Sequence, residues 1–422
     1  MSSKQLVPQP TTKNLTPPTA SLNIVQQRIL DLQADAILKE FSIKELLALR
    51  PVCRHFQNVV DRYIWARRSA FSGASTVIAP QDANSRSLRE AVIKRLLAIQ
   101  ASDGTARVAS DQITDAAFFR GLLGPTLTIF VNLGSHAPDD GGVGALPNAR
   151  QLNGPARGGK AHAKFITGGG GAMVGSPNFT PTGMSGRTVE STATIMNPLV
   201  QAYFNRYFDL MRGGTRQDDA QFTRMLNAFN RSNSPVSLAL APFVQVQPWL
   251  LAEVAGATRL VIRMFLISEL SQGQSIVDGL NLMARRTPGM TIEAYIDEGQ
   301  VNNTFSEYFD RYDNVRKRNY YVWAACQTLM RDAPNVKVYT QTGTRGIMHD
   351  KLILMEKDVV QSGAVVRTEK RVLIGSSGFS TNVMMNKNWD LMVRVDNDGL
   401  YDYMMRHHKA TTGSRAYSTK RL

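Results

Sequence analysis

The sequence predicts an α/β protein of two similar sandwich lobes related by a pseudo-two-fold axis, preceded by a small all-helical module. Three observations predict it. Strand-like and helix-like segments alternate from about residue 71 to residue 405. The order of segments after Val236 repeats the order before it. And one short pattern occurs once in each half: "HAK" at His162 to Lys164 with "GSPN" at Gly175 to Asn178, then "HDK" at His349 to Lys351 with "GSSGF" at Gly375 to Phe379.

The elements follow in order. Residues 1–23 are rich in Pro, Thr, Ser and Gln and read as a disordered leader without the basic-then-apolar order of a secretory signal. Residues 24–70 carry a helical apolar period through Ile37, Leu38, Phe41, Leu46, Leu47 and Leu49, resuming after Pro51 at Val52, Phe56, Val59 and Val60. The first lobe, 71–234, contains a capped helix at "SLREAVIKRLLAI", strands at "TLTIFV" and "STATIM", and a helix opening on Pro198. "FNRSNSP" (Phe229 to Pro235) is expected to be a polar connector. The second lobe, 235–405, runs strand "VSLALA", helix "WLLAEVAGA", strand "RLVIRMFLI", helix "SIVDGLNLMARR", strand "MTIEAYI", a long helix through "YYVWAACQTLM", and strand "NVKVYT". Residues 406–422 are expected to form a solvated basic tail, and His407 and His408, like His55 and His136, to be ordinary surface or interface residues. The long apolar stretch from Val236 contains two prolines, two glutamines and a glutamate, which suits a buried strand and helix better than a membrane span.

Composition narrows the classes. Two cysteines, Cys53 and Cys326, make neither a disulfide framework nor a metal cluster, so a reducing compartment and no metal or other cofactor are expected. The net charge is +15, but residues 1–70 and 406–422 carry +10 of it. A nucleic acid or an anionic membrane surface would both suit basic ends.

In an extended segment residues i and i+2 share a face. His162 and Lys164 therefore project together, and so do His349 and Lys351, as side chains at the surface of a cleft. Ser176 and Asn178, with Ser376 and Ser377 in the second half, are expected to bind substrate by hydrogen bonds. An imidazole, an ammonium and small polar groups are what a phosphoryl group needs for attack, charge neutralisation and positioning. One such set is half a site; two complete it. For either pair alone, a histidine and lysine exposed on a strand is the plain alternative.

The repeated pattern resembles the phospholipase D superfamily, whose signature is His-x-Lys, an acid five residues beyond the lysine, then Gly-Ser with a nearby Asn. The resemblance covers roughly residues 75–400. It implies that His162 is the nucleophile, His349 the general acid, Lys164 and Lys351 the phosphate clamps, and Glu190 and Asp390 supporting acids downstream in each half. The sequence departs from the signature at Gly169, where the first acid would fall, and at Gly378, where the second Asn would. Glu356 takes the second acidic position, and "KDVVQSGAVVRTEK" is a hairpin insertion before the second Gly-Ser.

Residues 24–70 resemble an F-box, through "ILKEF", "ELLALRPVCRHF" and the closing Ile64-Trp65. That resemblance implies docking onto the adaptor subunit of a cullin-type ubiquitin ligase through Leu46, Leu49, Val52 and Cys53, supported by Ile37 and Leu38. A helical hairpin packed on the first lobe is the alternative. Together these features imply a phosphodiesterase acting on phospholipid head groups and coupled to a host ubiquitin ligase, cytoplasmic or delivered without a cleavable signal into a eukaryotic cell. The hairpin insertion, the apolar "PFVQVQPWLL" and the low charge of the core favour lipid. A metal-independent nuclease of the same superfamily and a non-catalytic ubiquitin-ligase adaptor stay open.

Overall fold

Fifteen strands in two mixed sheets organise the described part of the chain. The computed structural model describes residues 75–78, 87–102, 104–113, 127–134, 148–180, 183, 188–213, 216–232, 234–268, 275–301, 314–343, 347–413 and 417–422. The leader and the F-box-like block, with Ile37, Leu38, Leu46, Leu49, Val52 and Cys53, lie outside the described residues, as do His55 and His136.

The strands are β1 (Ser75–Ile78), β2 (Thr105–Ser110), β3 (Thr128–Leu133), β4 (Ala149–Gln151), β5 (Phe165–Gly168), β6 (Gly171–Gly175) and β7 (Thr192–Met196) in the first sheet. The second holds β8 (Val236–Ala241), β9 (Arg259–Met264), β10 (Thr291–Asp297), β11 (Val336–Gly343), β12 (Lys351–Gln361), β13 (Ala364–Gly375), β14 (Asp390–Asp396) and β15 (Tyr417–Arg421). The first sheet has the order β1-β7-β6-β5-β2-β3-β4. The second, read from its β8 edge, has β8-β14-β13-β12-β9-β10-β11-β15. These are the same order, with β15 added at one edge.

The strand senses repeat as well. Only β2–β3 and β3–β4 in one sheet, and β9–β10 and β10–β11 in the other, are parallel; every remaining pair is antiparallel. Equal order and equal sense over seven strands make the second lobe a structural repeat of the first.

Seven helices of eight residues or more are described: α1 (Ser87–Gln100), α2 (Pro198–Met211), α3 (Arg216–Arg231), α4 (Val246–Glu253), α5 (Ile276–Arg286), α6 (Asn314–Met330) and α7 (Asp398–Gly413). Helix α2 shows why the local sequence folds as it does. Asn197 caps it, its side chain accepting from the backbone N–H of Leu199 and Val200, and Pro198 fills a first-turn position that needs no donor. Its buried face of Leu199, Val200, Tyr203, Phe204, Tyr207, Phe208, Leu210 and Met211 covers the sheet. Phe165, next to Lys164, packs 5.0 Å from Phe204 and 5.9 Å from Tyr207. That aromatic layer fixes the strand that carries the first His-Lys pair.

The structure corrects three expectations. Helix α3 runs to Arg231 and so takes the first three residues of the expected connector Phe229 to Pro235; its composition is polar, and among its residues of described burial Phe222, Leu226 and Phe229 form the buried stripe. Residues 406–422 are no solvated tail: Arg406 to Gly413 complete α7, and β15 pairs antiparallel with β11. His407 and His408 are buried, not at the surface. The insertion does form a hairpin, with β12 and β13 paired from Leu352–Ile374 to Gln361–Ala364 around a Ser362-Gly363 turn.

Two arguments for a lipid substrate also fall. Gln361 lies ten residues along β12 from Lys351, roughly 33 Å at the rise of an antiparallel strand, so the hairpin tip points away from the His-Lys pairs. In "PFVQVQPWLL", Phe243, Val244, Val246, Trp249 and Leu250 are all buried, so that stretch is core. Among the described residues no helix is long and apolar enough to cross a membrane.

Candidate active site

Each His-Lys pair enters its strand from a loop that crosses to the other lobe. Ala161 bridges to Trp389 in parallel, and Met348 bridges to Val189 in the same way. The His162 N–H donates to the Trp389 carbonyl at 2.8 Å, and the His349 N–H donates to the Val189 carbonyl at 3.0 Å. Trp389 and Val189 immediately precede Asp390 and Glu190. Backbone pairing between the lobes thus brings each histidine to the acid of the opposite half.

The side chains complete that exchange. His162 Nδ1 lies 3.3 and 3.2 Å from the two carboxylate oxygens of Asp390. His349 Nδ1 lies 2.8 Å from Glu190 Oε1. Each acid is in turn held by the serine of the Gly-Ser turn in its own half: Ser176 Oγ donates to Glu190 Oε2 at 2.5 Å, and Ser376 Oγ donates to Asp390. Gly precedes both serines because a Cβ on Gly175 or Gly375 would collide with the carbonyl of Ser191 or Leu391 on the adjoining strand. Gly-Ser therefore reads as close strand approach plus a hydroxyl that aims a carboxylate.

The lysines lie beneath the imidazoles. Lys164 Nζ donates to the His162 carbonyl at 2.8 Å and Lys351 Nζ to the His349 carbonyl at 2.6 Å. They are 1% and 2% exposed, against 21% and 14% for the side chains of His162 and His349, so the expected cleft-surface lysines are buried. Burial and then Lys164 lower the affinity of His162 for a proton; burial, Lys351, Lys164 and His162 push His349 well down. That His349 feels charges from both halves places the four residues in one site.

Burial also brings Lys351 down to about 7 and Glu190 up to about 7, while the Lys164 ammonium is lowered for the same reason. Burial raises Asp390 too, but the charge and hydrogen bond of His162 outweigh it and leave the carboxyl below its usual range.

The four residues expected to bind substrate are placed differently. Ser176 and Ser376 orient carboxylates, and Ser377 Oγ donates to the Leu391 carbonyl at 3.0 Å. All three are 0% exposed. Asn178 is half-buried, with no hydrogen-bond partner recorded for its side-chain oxygen. Glu356 sits five residues from Lys351, about 16 Å along the strand. It accepts from Tyr401 Oη at 2.5 Å and pairs with Arg259 at 3.7 Å, so it braces the lobe.

Sequence reasoning missed several residues at the site. Asp111, after β2, is 8% exposed, and its charge raises Lys164, His162 and His349 against burial. Phe265 holds the equivalent place after β9 and covers the other pair, 4.9 Å from the His349 ring and 5.3 Å from Lys351 Nζ. Asp350 is fully buried between His349 and Lys351, and Arg263, also fully buried, lies 3.5 Å from it. A charged residue inside the apolar strand "RLVIRMFLI" was the available signal.

The two lysines give a direct check. Lys164→Met and Lys351→Met keep the side-chain volume but remove one charge of a buried cluster, which costs stability because the facing carboxylates lose a counter-charge. Each should lower kcat by the roughly 2.7–4 kcal/mol of barrier that one lost oxyanion donor costs, read at a temperature where melting curves show the variant folded. Near-normal turnover in either variant would break the two-half model of the site.

No protein-family profile matches the chain, and no curated protein matches it in sequence. Solved structures do. The phosphatidylserine synthase of Haemophilus influenzae Rd KW20 superposes with a TM-score of 0.56 at 9% identity, over 86% of this chain and 92% of that one. This chain shares its fold. The polyphosphate kinase of Porphyromonas gingivalis gives 0.48 at 11% identity, over 79% of this chain and 49% of that chain, so this chain spans about half its length. Nuc of Salmonella typhimurium, a phospholipase D family member, gives 0.30 at 18% identity over 44% of this chain and 98% of that one. Only the first of these bears on the fold, and none by itself on activity.

Proposed function

We propose that the protein is a phosphodiesterase working through a phosphohistidine on His162. The observation that carries the reading is the reciprocal pairing of each histidine with the acid of the opposite half, above two buried lysines. His162 Nε2 attacks phosphorus while Asp390 accepts its Nδ1–H. The P–O bond to the leaving group breaks, and that oxygen takes a proton from His349 Nε2. Water then attacks phosphorus and gives a proton back to His349, the P–N bond breaks, and His162 is released. Lys164 and Lys351 neutralise the non-bridging oxygens throughout.

As substrate we propose the phosphodiester of a phospholipid head group, on the ground that residues 71–405 carry only +5 of the net charge of +15 and so form no strongly basic groove. The total charge favours a second reading, cleavage of a nucleic-acid backbone. Incubation with mixed phospholipid vesicles and with single- and double-stranded nucleic acids decides between them. No cleavage of any of these phosphodiesters would overturn the phosphodiesterase reading.

The dependence on pH has a sign. In the free enzyme Lys351 must be charged, and its value of about 7 makes kcat/KM fall as pH rises through 7. Protonation of His162 removes the nucleophile and closes the profile on the acid side, below the ordinary histidine range because burial lowers it. A kcat/KM that climbs steadily from pH 7 to 9 would contradict this placement.

Chelation should leave the rate unchanged. Among the described residues no group of three or more His, Cys, Asp or Glu side chains is placed to hold a metal ion. Both histidines commit Nδ1 to a carboxylate and use Nε2 in the chemistry. An enzyme silenced by EDTA and restored by magnesium or zinc would require another mechanism.

A further inference from the structure

Among the matched positions at which the two halves of the site differ, three form one set. Arg263 of β9 lies opposite Leu352, and Ala109 of β2 opposite Phe165, each the first residue after the lysine, so Arg263 and Ala109 are equivalent. Asp350 and Ala163 are the middle residues of the two His-x-Lys segments. Ser191 and Leu391 follow Glu190 and Asp390, and each donates its backbone N–H to the serine of its Gly-Ser turn at 3.1 Å. Ala109, Ala163 and Leu391 therefore surround the His162 pair where Arg263, Asp350 and Ser191 surround the His349 pair.

These three polar residues meet. Arg263 Nε lies 3.5 Å from Asp350 Oδ2, with both side chains 0% exposed. Ser191 Oγ donates to Asp350 Oδ2 at 2.9 Å. Ser176 Oγ, 2.5 Å from Glu190 Oε2, is also 3.5 Å from Asp350 Oδ1. A buried ion pair is often no more stabilising than apolar residues in its place, and the first half closes the same position with alanines. Stability alone gives no reason for the set.

We propose that Asp350, held by Arg263 and Ser191, is a positioning residue that keeps the transferable proton on the His349–Glu190 pair, making His349 the acid and leaving His162 the nucleophile. This rests on the phosphodiesterase reading. Ser176 has one hydroxyl hydrogen and two carboxylates within reach, and neighbouring carboxylates resist joint ionisation, so the pair retains a proton that a lone carboxylate would release. When Nε2 of His349 gives its proton to the leaving oxygen, Nδ1 takes the proton from Glu190, which ends ionised beside Lys351. On the other side Ala163 puts no second carboxylate near Asp390, which stays ionised and leaves the His162 Nε2 lone pair free to attack.

The remaining charges are arranged consistently. Glu190 is faced by Lys351, Lys164 and Thr188, and Asp350 by Arg263 and Lys351; burial raises both carboxyls, Asp350 to about 6. His407 and His408 reach Arg263 from α7, and burial together with that guanidinium keeps both imidazoles neutral. Asp111 acts on His349 from the first lobe.

The test is Arg263→Ala/Asp350→Ala, which installs the residues of the first half and leaves no buried guanidinium without its carboxylate, beside Asp350→Asn, which keeps the shape. Imidazole ¹⁵N titration of the intact protein should show His162 and His349 changing protonation at separate pH values in the wild type and converging in the double variant. In parallel, kcat/KM is compared for bis(p-nitrophenyl) phosphate, whose leaving group needs no proton, and for a short-chain phosphatidylcholine, whose alkoxide does. The double variant should lose about ten-fold or more on the second relative to the first, a part of the roughly 10²–10⁴-fold that general-acid catalysis contributes, with Asp350→Asn losing less. Equal losses on both substrates, or histidine titrations that the double variant leaves unchanged, would overturn the proposal. A wild type that cuts neither diester nor any nucleic acid, yet shows separate titrations converging in the double variant, would sink the phosphodiesterase reading and leave the proton placement standing.

Discussion

His162→Asn should abolish multiple turnover, lowering kcat by a factor on the order of 10⁴–10⁶, the range seen when a nucleophile is removed from a preorganised site. The reason is geometric. Only His162 combines an ionised partner at Nδ1, at 3.2 and 3.3 Å from Asp390, with a ring edge that is open in an otherwise buried cluster. Asparagine keeps the polarity and roughly the reach but has no nucleophilic lone pair. Single turnover with a ³²P-labelled phosphodiester, quenched in alkaline detergent, should give a base-stable, acid-labile adduct in the wild type and none in the variant. His349→Asn should form the adduct on His162 and release it slowly. A label on His349 in a protein that retains His162 would reverse the two roles.

Asp390→Asn should cost about 10³–10⁴ in kcat, because an amide in place of a carboxylate selects the wrong imidazole tautomer. In the proposed mechanism the carboxylate accepts Nδ1–H and leaves the Nε2 lone pair free to attack. The amide can instead donate its NH₂ to Nδ1, which drives the proton to Nε2 and blocks attack. Asp390 also accepts from Ser376 Oγ, and its neighbour Leu391 donates backbone N–H to the same hydroxyl at 3.1 Å, so the side chain cannot rotate away to avoid the mismatch. Since the variant keeps shape and hydrogen bonding, its melting temperature should stay within a few degrees of the wild type while activity collapses. If activity is lost together with the fold, the effect is structural and the tautomer argument fails. If activity survives, Asp390 does not set the imidazole.

Much of the second lobe was legible because its elements are strongly patterned. "VSLALA" is β8, all of "NVKVYT" but its first residue lies in β11, and "SIVDGLNLMARR" is a helix whose Ser275 accepts from the Asp278 N–H as an N-cap. Helix α3 was not legible, since the buried Phe222, Leu226 and Phe229 are too few to show a face against a charged composition. The C-terminal residues misled for a related reason. A run of Lys, Arg and His suggests water, yet α7 turns His407 and His408 inward, where His408 packs 4.7 Å from the Tyr295 ring, and β15 gains a partner strand in β11. Exposure depends on which face meets the sheet, and local charge does not report it.

The sequence by itself determined the duplication, the two His-Lys pairs and the serines that follow them. Those features rest on local geometry: residues two apart in an extended segment share a face, whatever lies elsewhere in the chain. Which acid serves which histidine was decided only by the tertiary structure. Glu190 and His349 are 159 positions apart, and Asp390 and His162 are 228 apart. Nothing local distinguishes that crossed pairing from one within each half. The choice is made where Ala161 meets Trp389 and Met348 meets Val189, because backbone bridges between the lobes carry each histidine across to the opposite carboxylate.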